Sequence, residues 1–177
     1  STAQVAEKIL LIARTRPLEE CKKASDGLSL FYTDMDRTAI EVREIEKMGR
    51  KAVDSNELFI NELRIPFEDR IGEEGKGFQY LLHGLNPERI LIAAEAVGVG
   101  KAALARASQY AKDREVFGRP IGKNQSIQHP LAQSWCELEA ANLMCFRAAS
   151  LYDQGKPCGV EANAAKFLSA QAGFTAC

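Results

Sequence analysis

Tyr110–Gln128 reads Y-A-K-D-R-E-V-F-G-R-P-I-G-K-N-Q-S-I-Q. A long helical pattern of small and apolar residues leads into it, and a second apolar helical pattern follows. A connection between two bundle helices needs only about 2–8 residues and little chemistry. This one holds Arg114, Arg119 and Lys123 beside the amides of Asn124, Gln125 and Gln128, with Phe117, two glycines and a proline among them. Guanidinium groups fork onto phosphate oxygens, and amides bond a pyrophosphate or the edge of a heterocycle. Phe117 offers a flat face for a ring. Spacing alone makes the stretch a candidate anion or cofactor site. No G-x-G-x-x-G follows a strand and no P-loop is present, so neither a Rossmann nor a nucleotide-triphosphate site is indicated.

Upstream, Phe78, Leu81, Leu82 and Leu85 recur at helical spacing until Asn86-Pro87-Glu88-Arg89 interrupts them. Proline inside a helix removes a hydrogen bond, whereas it suits the first helical position after an Asn cap. The pattern therefore predicts a helix to about Gly84, a break, and a new helix from Pro87 to about Asp113. That second helix carries Ala93, Ala94, Ala96, Gly98, Gly100, Ala102, Ala103, Ala105 and Ala107. Glycine in a helix interior costs about 1 kcal/mol relative to alanine, which close helix–helix or helix–cofactor approach would offset, a tightly packed bundle being the reading that composition favours. Downstream, a helix is predicted from His129 or Pro130 to about Asp153. Leu131, Trp135, Leu138, Leu143, Phe146, Ala149 and Tyr152 form its expected apolar stripe. Gly155-Lys156-Pro157 stops it, and a third helix opens near Val160 and is still running at Cys177. Together these describe an antiparallel bundle.

The first 70 or so residues have a different period. Ile9–Ala13, Leu28–Tyr32, Thr38–Arg43 and Ser55–Pro66 read as strands, the third with Ile40 and Val42 on one face and Glu41 and Arg43 on the other. Repeated strands without intervening helices argue for an antiparallel sheet or barrel portion. The fold class is α+β: part of a β-barrel domain over 1–72, then part of a helical-bundle domain over 73–177, divided in the glycine-rich Gly72–Gly77 stretch.

Hydrophobic residues make up 46% and charged residues 27% of the chain, enough to bury a core, and the formal net charge is −1. That balance supplies no global field for nucleic acid or an anionic membrane. No apolar run approaches the about 18 residues of a membrane span, and the N-terminal residues do not form a secretory signal. There is no initiating Met and the last residues run on inside a helical pattern, so a fragment of a longer chain is expected. Five cysteines without a C-x-x-C pair, with only His83 and His129 beside them, predict no metal site and a reducing compartment. Cys136 and Cys145 are expected to be small buried hydrophobes.

Asn86-Pro87-Glu88-Arg89 is the second cluster with chemical potential. Capping accounts for Asn86 and Pro87, and the dipole of a helix N-terminus accounts for Glu88 in the first turn. A buried Glu88 beside Arg89 would instead serve as a general base, with Arg89 on an anionic group of a substrate.

The Tyr110–Gln128 residues closely resemble the Y-A-x-x-R-x-x-F-G-x-P-I-x-x-x-Q-x-I-Q signature of acyl-CoA dehydrogenases. The resemblance extends through E-E-G-K-G-F (Glu73–Phe78), G-L-N-P-E-R (Gly84–Arg89) and H-P-L-A (His129–Ala132), and spans essentially the whole chain. The first residues look like the family's segment around its flavin-contacting W-x-[ST], with Ser1 on the [ST]. Gln133 stands where the family usually has aspartate.

The resemblance implies the second half of the middle β domain and about two and a half helices of the C-terminal bundle. It implies FAD as cofactor and α,β-dehydrogenation of an acyl-CoA thioester, with electrons leaving to an electron-transferring flavoprotein. Arg114 would bind the FAD pyrophosphate of a neighbouring subunit in a homodimer or homotetramer, with Val116, Phe117, Asn124 and Gln125 lining that site. Ser1 would bond the flavin ring, and Asn86 and Arg89 would contact the acyl-CoA. Glu88 matches the base position of a subset that includes the isovaleryl and long-chain enzymes; other members hold the base on a later helix. Expected locations are the mitochondrial matrix, the peroxisome or the bacterial cytoplasm. Alternatives are a non-catalytic helical binding or assembly module, and an acyl-CoA oxidase or flavin monooxygenase relative.

Overall fold

The computed structural model describes residues 1–177, which form two compact units, Ser1–Leu82 and His83–Cys177. In the first unit, β1 (Lys8–Arg14) pairs antiparallel with β2 (Leu28–Asp34), placing Leu10 opposite Tyr32 and Ile12 opposite Leu30. A two-residue strand, β5 (Arg70–Ile71), pairs with the other edge of β2. β3 (Ile40–Ile45) and β4 (Ser55–Ile60) form a separate antiparallel hairpin. The antiparallel pairing predicted from the alternating pattern is present. The two sheets do not close on one another, so the β portion is a three-stranded sheet and a hairpin, not a closed barrel. Closure requires every edge strand to find a partner, and β1 and β4 each pair on one side only.

β2 is the central strand of the three-stranded sheet and carries buried residues on both of its faces. Ser29 and Leu30 are buried, and the Ser29 hydroxyl accepts from Gly75 N–H at 2.9 Å and pairs with Thr15 Oγ1 at 2.7 Å. Gly77 packs so tightly there that a Cβ would lie 2.5 Å from Leu30 N and Ser29 C. A smaller core of Ala3, Met35 and Ile40 lies under the hairpin, with Val42 beside it, as the alternation over Thr38–Arg43 predicts.

Helix α1 (Gly77–Asp113) is continuous for 37 residues with Pro87 inside it. The predicted break at Asn86-Pro87 is therefore absent. Proline costs the bond its missing N–H would make to the preceding turn. The neighbouring turns keep their bonds, and a helix of this length tolerates one gap. Asn86 does not cap; its Oδ1 accepts from Arg89 Nη1 at 3.1 Å.

Helices α2 (Gln125–Asp153) and α3 (Gly159–Ala176) complete the second unit. α2 begins several residues before His129, and Pro130 lies within it. The core joins Ala93, Val97 and Leu104 of α1 to Leu138, Ala141, Cys145 and Ala148 of α2 and to Ala165 and Ala172 of α3. A Cβ on Gly100 would stand 2.6 Å from Leu138 Cδ2 and 3.0 Å from Gly173 Cα, so the glycine permits the close helix approach its cost implied.

The apolar stripe predicted for α2 is on the wrong face. Of its members Leu138 is fully buried, while Trp135, Leu143, Phe146 and Tyr152 are exposed. The buried positions are Ser134, Leu138, Ala141, Cys145 and Ala148, a 4-3-4-3 spacing typical of a helix seam. Around Leu138 the seam is made of small side chains, which let the helices approach closely. Cys136, expected inside, is exposed because it lies off this seam, whereas Cys145 lies on it and is buried.

Candidate functional site

The connection between α1 and α2 is a small built structure. Glu115–Val116 (β6) and Arg119–Pro120 (β7) pair as a miniature hairpin. Its two tip residues, Phe117 and Gly118, have φ of 55° and 74°. Two successive positive φ values define the primed turns that suit the twist of a tight hairpin, and glycine accepts them without strain. Phenylalanine does not: a bulky residue in the left-handed region is strained. Its ring is also fully exposed. The hairpin thus keeps a strained backbone at its tip and presents a bare aromatic ring to solvent.

The hairpin is anchored at its base. Ile121 N–H donates to Arg114 O at 2.8 Å, and Arg114 N–H donates to Tyr110 O at 2.8 Å. Gln128 Nε2 donates to Gly122 O at 2.8 Å, and Arg119 Nη2 donates to Asn124 Oδ1 at 2.8 Å. Asn124 is thus occupied as a brace for Arg119 and makes no side-chain cap for α2. The Arg114 side chain is exposed and has no partner within the chain. Gln125 opens α2, where backbone N–H groups point outward and favour an anion. Arg114, Val116, Phe117, Asn124 and Gln125 are therefore gathered in one connection. Beside it, Ala107, Tyr110, Ile121, Ile127, Pro130 and Leu131 line an open apolar groove of about 440 Å³. Sequence reasoning missed this groove and the hairpin, although the F-G pair was the signal for the tip.

The other cluster lies on α1. With the helix starting at Gly77, Glu88 is about three turns inside it, not in the first turn. The dipole of a helix N-terminus therefore does not account for it. Glu88 is exposed and forms no ion pair with Arg89, whose guanidinium turns to Asn86 instead. The expected buried Glu88–Arg89 arrangement is thus not present in this chain. Asn86 also borders a cleft of about 380 Å³ with His83, Tyr152, Lys156 and Cys158. Ser1 is exposed in the β unit. No group of three or more His, Cys, Asp or Glu gathers as a metal site, and no helix is long and apolar enough to cross a membrane.

The distance between the two clusters decides what one copy can do. Both lie on the second unit, joined by a single helix. At about 1.5 Å rise per residue, Glu88 is about 37 Å from the end of α1 that carries Arg114. One dinucleotide cofactor does not bridge that span.

A β unit followed by a helical bundle, with this hairpin between its first two helices, defines the class. Residues 75–177 match the C-terminal domain of acyl-CoA dehydrogenases. The chain belongs to the acyl-CoA dehydrogenase family. It is 38% identical over 169 residues to acyl-CoA dehydrogenase FadE12 of Mycobacterium tuberculosis, covering 94% of this chain and 43% of that one. Among solved structures, glutaryl-coenzyme A dehydrogenase in complex with glutaryl-CoA is similar at a TM-score of 0.89 and 32% identity, over 99% of this chain and 44% of that chain. PigA with FAD and proline matches at a TM-score of 0.89 and 27% identity, over 98% and 45%. The chain spans less than half the length of these relatives.

Proposed function

We propose that the protein acts as an FAD-dependent acyl-CoA dehydrogenase that removes hydrogen from Cα and Cβ of an acyl-CoA thioester. The observation that carries this is the match of residues 75–177 to the C-terminal domain of acyl-CoA dehydrogenases, with Glu88 supplying a carboxylate that is open to a substrate and not tied up in an ion pair. In this reading Glu88 takes the Cα proton. Arg89 and Asn86, already bonded to each other, hold the substrate beside it. Bound FAD supplies the acceptor for the Cβ hydride, and an electron-transferring flavoprotein takes the electrons onward.

The α1–α2 connection fits the cofactor's chemistry. Arg114 is a free guanidinium for pyrophosphate oxygens, the start of α2 offers amides, and Phe117 and Val116 offer apolar surface. Asn124 acts there chiefly by fixing Arg119. Ser1 bonds the flavin ring of its own copy. Because Glu88 and Arg114 are too far apart to hold one FAD, the connection serves the cofactor of a second copy, and the active form is a homo-oligomer. In the full natural protein, Glu88→Gln should lower kcat at least about a thousandfold while flavin absorbance remains. Wild-type turnover would move the base elsewhere. Oxygen uptake with acyl-CoA and no other acceptor would overturn the assignment of the electron partner.

A further inference from the structure

The start of the chain is held by the β3–β4 hairpin. Thr2 N–H donates to Asp54 O at 2.8 Å, and Ala3 N–H donates to the side-chain Oδ1 of Asn56 at 2.8 Å. The Gln4 amide donates to the Asp54 carboxylate. Thr2 has φ 53°, a left-handed backbone that a β-branched residue adopts only when its surroundings impose it. Ala3 is buried in the small core with Met35 and Ile40. The segment next to Ser1 is thus fixed on both sides by residues of one strand and its approach.

Asn56 has a second property. Its Nδ2 is buried and has no hydrogen-bond partner. The side-chain amide does not gain by turning over, because Nδ2 would then face the Ala3 N–H, donor against donor. The acceptor end is committed to Ala3, and the donor end goes unpaired, which is unfavourable for a buried amide. The Ala3 contact sets the orientation of this side chain against that cost.

We propose that Asn56 is a positioning residue for the flavin: by holding Ala3 it fixes the backbone of Ser1 and Thr2, and so aims the Ser1 hydroxyl at the ring. This rests on the FAD reading above. Asn56 touches no cofactor itself; it acts through Ser1.

The test uses the full natural protein, with FAD affinity and the flavin absorbance spectrum as readouts. Ser1→Ala and Asn56→Leu should each weaken FAD binding about tenfold and shift the flavin band in the same direction, roughly the loss of one hydrogen bond to the ring. The double variant should be no weaker than the worse single, because both changes remove the same contact. Asn56→Asp keeps the acceptor for Ala3 and should stay within about threefold of wild type. If Asn56→Leu does not fold, Asn56→Ser, too short to reach Ala3, is read the same way. Additive losses, or an unshifted flavin band in the Asn56 variants beside a shifted one in Ser1→Ala, overturn the inference alone. Wild-type affinity and spectrum in Ser1→Ala overturn the flavin role of Ser1, and the inference with it.

Discussion

Phe117 concentrates the chemistry of the connection in one residue. It occupies a left-handed backbone position at a hairpin tip with its ring wholly in solvent, a combination that stabilises nothing within the chain. Phe117→Gly should therefore raise stability by about 1 kcal/mol in the absence of cofactor, by removing strain. The same change should weaken FAD retention. Urea unfolding and flavin absorbance after gel filtration check the two halves, and a loss of stability would show that the ring packs on something within the chain. Asp36 is a second residue with a readable charge state. Its Oδ1 accepts from Thr38 Oγ1 at 2.7 Å and Thr38 N–H at 2.9 Å, and these bonds hold its carboxyl below the ordinary value of 3.8. A depressed folded-state pKa contributes stability above the unfolded value and loses it as pH falls through the lower folded one. Thr38→Val should raise the Asp36 titration midpoint in an NMR pH series. An unchanged midpoint would remove the Thr38 hydroxyl as the leading cause.

Among the elements, two glycines on α1 make opposite predictions. A Cβ on Gly100 meets Leu138 and Gly173, whereas one on Gly98 meets nothing within 4 Å. Gly98→Ala should stabilise the chain by about 1 kcal/mol through helix propensity. Gly100→Ala should destabilise it by about 1–3 kcal/mol despite the same gain, because the helices must separate. Equal effects in thermal unfolding would contradict the packing described. The sequence made the abundance of small residues on this helix visible but not which of them face a neighbour. The same gap explains α2, where Trp135 and Phe146 carry a strong apolar pattern and lie outside, while Ser134 and Ala141 lie inside. Helical periodicity reports that a face is apolar, and only the spacing between helices says which face is buried. Pro87 misled in another way: local propensity argued for a break that the packed helix overrides. The strands of the β unit were legible because Ile40 and Val42 alternate with Glu41 and Arg43, while the two-residue β5 is too short to show a period.

For the whole molecule, the two candidate clusters were both legible in the sequence as motifs, and their separation was not. A continuous α1 ending at Asp113 sets Glu88 and Arg114 about 39 Å apart along its axis, and that makes assembly part of the proposed activity. Arg114→Ala should reduce FAD retention in an oligomer otherwise like wild type, since an unpaired guanidinium adds nothing to the fold of its own copy.

The most direct measurement of shared sites is complementation between two inactive forms of the full natural protein. Glu88→Gln and Arg114→Ala are prepared separately, dissociated, mixed in equal amounts and reassembled. If each site takes Glu88 from one copy and Arg114 from the other, every mixed pair rebuilds one intact site. Statistical mixing of dimers then restores about a quarter of wild-type turnover. If both residues serve the same copy, mixed pairs contain no intact site and the mixture stays inactive, and that result would contradict the shared-site account.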